Sequence, residues 1–154
     1  MAQRVIHSIQ ELRSLVGHEV AVGDWFTLDQ SRINTFAEAT EDRQWIHVDA
    51  DRARTELPQG KTIAHGFLTL SLLSFLVKEA VAVKVNFSRA INYGLNRVRF
   101  PTPVPAGAQI RVRLKLVSVE DVSGGIQVCW AATLDVDGES KPALVAEWLL
   151  RYYY

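Results

Sequence analysis

Hydrophobic positions along this chain follow two rhythms, and the change falls near residue 92. Before it, apolar residues recur at three- and four-residue spacing, as on one face of a helix. After it, they alternate with polar residues, as on a strand with one wet face. Asp24-Trp25-Phe26-Thr27-Leu28 is short and aromatic enough for a strand, and Asp29 stands where a helix N-cap would be. This predicts a helix over about 30–39, with Ile33, Phe36, Ala37 and Thr40 on its buried face. A short helical turn should run from about Asp49 to Thr55, closed by Pro58 and Gly60. The run from Gly66 to Ala80 is different. Phe67, Leu68, Leu70, Leu72, Leu73, Phe75, Leu76 and Val77 go nearly all the way round a helix, so other structure has to enclose it.

The second part supplies the enclosure. Ile110, Val112, Leu114 and Leu116 alternate with Arg111, Arg113 and Lys115, and Ile126, Val128, Trp130, Ala132 and Leu134 alternate with more polar neighbours. Ser123-Gly124-Gly125 and Asp137-Gly138 are turn signals, and beyond the second Leu144, Ala146, Trp148 and Leu150 share a face. Arg151-Tyr152-Tyr153-Tyr154 could extend this last strand or contact a partner subunit. The expected class is α+β, an antiparallel sheet curled around one long apolar helix. No repeat or Pro/Gly-rich linker interrupts the chain, so residues 1–154 are expected to form a single domain.

Composition narrows the function classes. Seventeen Lys+Arg balance seventeen Asp+Glu, which leaves no broad electropositive surface for a nucleic-acid backbone. The longest apolar-rich stretch, residues 67–77, is too short to span a membrane, and the N-terminus has no signal-peptide run. A cytoplasmic protein without membrane or nucleic-acid partners is expected. The single cysteine, Cys129, excludes an intrachain disulfide and reads as strand packing.

Candidate chemistry gathers in two places. In Glu41-Asp42-Arg43-Gln44-Trp45-Ile46-His47-Val48-Asp49, Asp42 and His47 can converge on a pocket from a loop, hold a water and move protons. The same residues also suit a capped turn with His47 on the surface. At Ile63-Ala64-His65-Gly66 the apolar helix starts without a capping Ser, Thr, Asp or Asn, so its free N–H groups and its glycine offer a possible oxyanion hole. The serines of the 69–75 run lack nucleophile-elbow glycines, His7 and His18 have no evident partners, and four histidines without a tight cluster argue against a metal site.

These segments resemble the MaoC-like (R)-specific enoyl-CoA hydratases, or hydratase 2, of the hot-dog fold. Asp42, Ile46, His47, Ala53 and Ala64-His65-Gly66 match that family's motifs, whereas Gln44-Trp45 stands where the family has Asn-Pro. Asn96-Arg97-Val98-Arg99-Phe100-Pro101-Thr102-Pro103-Val104-Pro105-Ala106-Gly107 is similar to its Arg-Phe strand and turn, so the resemblance spans roughly residues 24–118 in order. It implies a hot-dog fold in which Asp42 and His47 activate a water. It further implies that the Gly66 N–H receives the thioester oxygen and that Phe100 contacts substrate. The implied reaction is reversible hydration of a trans-2-enoyl-CoA to the (R)-3-hydroxyacyl-CoA, which needs no cofactor. An acyl-CoA substrate, or an acyl carrier protein in its place, and a homodimer are the implied partners. Without the Asn-Pro restraint, Trp45 is expected to anchor the loop by packing. A thioester hydrolase, or a catalytically silent acyl-binding or dimer-scaffold subunit, would use the same fold.

Overall fold

The computed structural model describes residues 2–154 and reads β1 (Arg4–Ile6), α1 (Ile9–Ser14), β2 (Glu19–Val22), β3 (Phe26–Leu28), α2 (Gln30–Thr40), α3 (Trp45–Val48) and α4 (Ala50–Glu56) in its first part. Then come α5 (Gly66–Ser71), α6 (Leu73–Ala80), β4 (Val81–Val83), β5 (Arg89–Arg99), β6 (Ala108–Val122), β7 (Gly125–Val136) and β8 (Leu144–Tyr153). Six strands form one sheet in the order β2-β6-β7-β8-β5, with β3 also on β6, and β1 pairs with β4 in parallel as a separate ribbon. All pairings of the large sheet are antiparallel.

Alternation sets this sheet. Ile110, Val112, Leu114 and Leu116 of β6 are fully buried, as are Ile126, Val128 and Leu134 of β7, while Leu144, Ala146, Trp148 and Leu150 of β8 complete the same face. Burying each large apolar side chain contributes roughly 1.5–3 kcal/mol, so one face of three long strands accounts for much of the core. Gly124, at φ +78°, supplies the left-handed turn between β6 and β7. At Gly125 the reason for glycine is space: a Cβ there would lie 1.9 Å from the Tyr152 carbonyl oxygen on β8. Strand β8 continues through Tyr153, so Arg151, Tyr152 and Tyr153 extend the strand and Tyr154 lies just beyond it.

Helices α5 and α6 form the apolar helix expected over 66–80. Only Leu72 separates them, and hydrogen bonds from Leu72 N–H to the Leu68 carbonyl (3.0 Å) and from Leu76 N–H to the Leu72 carbonyl (2.9 Å) run across the join. Leu68, Leu72, Leu73, Leu76, Val77 and Ala80 are buried in the same cluster as the sheet residues. Enclosure is not complete, however. Phe67 is 69% exposed and Phe75 43% exposed, because the sheet covers one side of the helix and leaves the other open. Among the described residues, no helix is long and apolar enough to cross a membrane.

Several boundaries differ from the sequence reading. The first aromatic strand is three residues long and begins at Phe26, not Asp24. Asp29 caps α2 as expected, accepting from the Arg32 N–H at 2.9 Å, but the buried face is Ile33 and Ala37, with Phe36 half-buried and Thr40 exposed. Strand β5 starts at Arg89 and lies at the sheet edge, so its apolar side chains Ile91, Tyr93 and Leu95 stay 45%, 53% and 42% exposed.

Candidate active site

The two chemistry-bearing segments meet where α2, α3 and the start of α5 converge. Helix α2 ends because Glu41 takes the left-handed conformation at φ 61°, an uncommon choice outside glycine, which turns the chain sharply out of the helix. Residues 41–44 are then irregular, and Trp45–Val48 wind one helical turn that points His47 inward. His47 is 7% exposed, which rules out the surface reading of this residue. Its Nδ1 lies 2.7 Å from the Ile63 carbonyl, a group that can only accept, so Nδ1 carries the hydrogen and Nε2 is left as a lone-pair acceptor. Burial pushes the His47 pKa below its ordinary value; the hydrogen bond to Ile63 opposes this, His65 adds to it, and Asp42 opposes it.

His65 has the larger surprise. Four scattered histidines suggested no cluster, yet the fold stacks the His65 ring on His47 with centroids 3.7 Å apart and planes at 23°. The His65 Nε2–H donates to the Asp42 backbone carbonyl at 2.9 Å, and the same nitrogen is 4.0 Å from the Asp42 carboxylate. Donor atoms of Asp42, His47 and His65 all lie within 4.8 Å of one another. Such a trio has the composition of a metal-ligand set, but His65 could bind an ion through Nε2 only by giving up its bond to Asp42.

The loop without Asn-Pro is held by other contacts. Trp45 is half-buried rather than buried, with the Arg52 guanidinium 4.0 Å from its ring centre. Gln30, at the start of α2, donates from Nε2 to the His47 carbonyl at 2.7 Å and accepts a hydrogen bond from the buried Thr62 hydroxyl. The Ile63 N–H donates to the Ile46 carbonyl at 3.0 Å. Arg43 ties the exposed side of the loop to Glu38 at 2.8 Å and to Glu41. Gln30 and Thr62 were not singled out in the sequence; nothing local marks them, since they act on a residue 15 to 17 positions away.

Gly66 opens α5, and no side chain caps that end. The Phe100 ring lies against it so closely that a Cβ at position 66 would be 3.1 Å from ring carbons, which gives a second reason for glycine here. Phe100 is 41% exposed and meets Phe67 edge-on at 6.2 Å. His47, Gly66, Thr69 and Phe100 together line a cavity of about 220 Å³, and the more than half-exposed Asp42 side chain lies outside that lining.

Comparison with known proteins places the chain in a family. Residues 11–137 match the family model described as a MaoC like domain. The chain is 48% identical over 150 residues to 3-hydroxyacyl-thioester dehydratase Z of Mycobacterium tuberculosis, covering 97% of this chain and 98% of that one. It is 42% identical over 143 residues to nodulation protein N of Rhizobium meliloti, covering 92% and 89%. Among solved structures, the R-hydratase from Pseudomonas aeruginosa superposes with a TM-score of 0.67 at 21% identity, over 90% of this chain and 81% of that one. A model match over most of the chain, joined to identity near one half along its whole length, makes this protein a member of the MaoC-like dehydratase family, an enzyme with the hot-dog fold.

Proposed function

We propose that the protein catalyses the reversible (R)-specific hydration of trans-2-enoyl thioesters to 3-hydroxyacyl thioesters, with Asp42 and His47 as the water-activating pair. The observation that carries this reading is the separation of their donor atoms, within 4.8 Å, combined with a buried His47 whose Nε2 is free to accept. A water bridging two acceptors through hydrogen bonds of about 2.8 Å at its near-tetrahedral angle needs a gap of roughly 4.5 Å. The dehydratase name of the mycobacterial relative supports the same chemistry.

In the hydration direction, His47 Nε2 takes one hydrogen of the water as a proton while the Asp42 carboxylate accepts a hydrogen bond from the other. The water oxygen bonds to the β-carbon, and the alkene pair shifts to form an enolate on the thioester oxygen. The Gly66 N–H and the positive end of the helix starting there stabilise that charge. The enolate then collapses as the His47 imidazolium returns its proton to the α-carbon, which restores the thioester carbonyl and neutral histidine. One imidazole serving both carbons from one side gives syn addition. Dehydration is the reverse, and every atom is accounted for without a cofactor. Phe100, beside Gly66, would pack against the thioester end of the substrate.

An acyl-CoA is the proposed substrate, with an acyl carrier protein as the alternative donor, and the assembly is proposed to be a homodimer located in the cytoplasm. The exposed apolar edge strand β5 supports pairing with a second copy, since an unpaired edge of that length invites another strand. Crotonyl-CoA provides the test, with enoyl absorbance and free thiol followed together. Absorbance loss without thiol release is expected, chiral analysis should give the (R) product, and Asp42→Asn and His47→Ala should each lower kcat by about 10²–10⁴ with folding intact. Thiol release would indicate hydrolysis instead, and full activity in either variant would remove that residue from the mechanism.

A further inference from the structure

We infer that His65 is a positioning residue for the Asp42/His47 pair, a single imidazole that fixes the backbone of the first and the ring of the second. This inference rests on the proposed roles of Asp42 and His47. Its own support is geometric. His65 is 3% exposed, its Nε2–H donates to the Asp42 carbonyl at 2.9 Å, and its ring lies 3.7 Å from that of His47. Phe36 of α2 packs against the same ring at 5.0 Å, which limits its freedom to turn.

A residue needed only to fill this space would be apolar. The His65 Nδ1 is buried with no hydrogen-bond partner among the described residues, an arrangement that costs stability relative to a hydrocarbon ring. What the imidazole provides in return is a donor to the Asp42 carbonyl, the one such donor among the described residues. That carbonyl belongs to the irregular stretch following the left-handed Glu41, where the carboxylate itself is more than half-exposed and its own contact to the Gln44 N–H is long, at 3.4 Å. With Gln44-Trp45 in place of a stiffening proline, the position of Asp42 depends on a tether from outside the loop. His65 also directly precedes Gly66, so one residue connects the water-activating pair to the start of the helix proposed to hold the thioester oxygen.

Two variants separate the two contacts. His65→Phe keeps a ring to stack on His47 and removes the donor, whereas His65→Gln keeps an N–H within reach of the Asp42 carbonyl and removes the ring. Both are measured for kcat and KM with crotonyl-CoA, beside melting curves and circular dichroism. We expect His65→Phe to lower kcat roughly 10- to 100-fold with KM nearly unchanged, since a misplacement of about 1 Å in a reacting group has that effect. His65→Gln should recover part of the loss. Because the donor acts through Asp42, adding His65→Phe to Asp42→Asn should leave the residual rate of the single variant unchanged.

A His65→Phe enzyme with wild-type kcat would overturn the inference, as would the same fold-loss in the wild-type and Asp42→Asn backgrounds. If His65→Phe fails to fold, His65→Gln with and without His47→Ala gives the corresponding comparison through loss of the stack: the fold-loss should vanish in the His47→Ala background, and the same fold-loss in both backgrounds would overturn the inference. Should Asp42→Asn and His47→Ala themselves keep full activity, the underlying reading fails. Should they lose activity while the His65 variants do not, only the positioning role fails.

Discussion

Replacing Gln30 by leucine tests whether the hydrogen bonds behind the loop, rather than the loop sequence, hold His47 in place. Gln30 links three groups: its Nε2 donates to the His47 carbonyl at 2.7 Å and to Asn34 Oδ1 at 2.8 Å, and its Oε1 accepts from Thr62. Leucine matches its bulk but leaves the Thr62 hydroxyl, 2% exposed, without an acceptor and the His47 carbonyl without this donor. At about 1–3 kcal/mol for each buried polar group stranded, the loss should be about 2–6 kcal/mol. For a protein of this size that corresponds to a fall in melting temperature of roughly 4–24 °C. Activity should fall too, about tenfold or more in kcat, because the turn carrying His47 loses a tether. Thr62→Val added to Gln30→Leu removes the stranded hydroxyl, so the double variant should be more stable than the sum of the single effects by about 1–2 kcal/mol. Urea unfolding of the four proteins gives the coupling, and crotonyl-CoA kinetics give the activity. Additivity within about 0.5 kcal/mol, or an unchanged kcat in Gln30→Leu, would refute the reasoning.

Three further outcomes follow from the site. His47 has its pKa depressed by burial, so its neutral form persists below pH 6.5 and the acid limb of kcat/KM should have its midpoint under that value; a midpoint above it would contradict His47 as the base. The same shift makes the unfolded chain take up a proton that the native state resists. The contribution of His47 to stability is therefore complete above about pH 6.5 and is lost as pH falls through the depressed native value, a loss that melting curves of His47→Gln should show flattened. Gly66→Ala would put a methyl group 3.1 Å from the Phe100 ring, which should destabilise by about 1–3 kcal/mol and reduce activity, and Phe100→Ala in the same chain should restore the lost stability; no restoration would mean that Phe100 is not the obstacle.

The parts of the fold that could be read from the sequence are those where one residue pattern is repeated often enough to average out local exceptions. Strands β6, β7 and β8 are ten to fifteen residues long, and the alternation of apolar positions was visible over 110–116, 126–134 and 144–150, enough to identify each strand. The three-residue β1, β3 and β4 contain too few positions for any period, and β1 with β4 form a parallel pair across more than 70 residues that no local rule describes. Strand β5 shows a different limit. Its apolar residues have the composition of a buried strand, but position at the sheet edge decides their exposure, and the sequence of one strand does not state which neighbour it lacks.

The same distinction applies within the site. Asp42, His47 and Gly66 were legible as candidates because each sits in a local setting with chemical meaning: an acid and an imidazole five residues apart, and a glycine opening an uncapped helix. The stacking of His65 on His47 was not legible, since it requires the turn at Trp45–Val48 and the entry to α5 to approach from segments 18 residues apart. Gln44-Trp45 illustrates how such distant contacts substitute for local stiffness. A proline restricts the loop through its own covalent geometry, whereas here Gln30, Arg52 and the pair Ile63 and His65 restrain it from three separate segments through three hydrogen bonds to its backbone and one cation–π contact. Restraint of this kind depends on the rest of the fold being intact, so the geometry of the candidate site should soften before the sheet does as the protein is destabilised. Activity should then decline in urea below the concentration at which circular dichroism begins to change, and coincident losses would show that the loop is as rigid as the core.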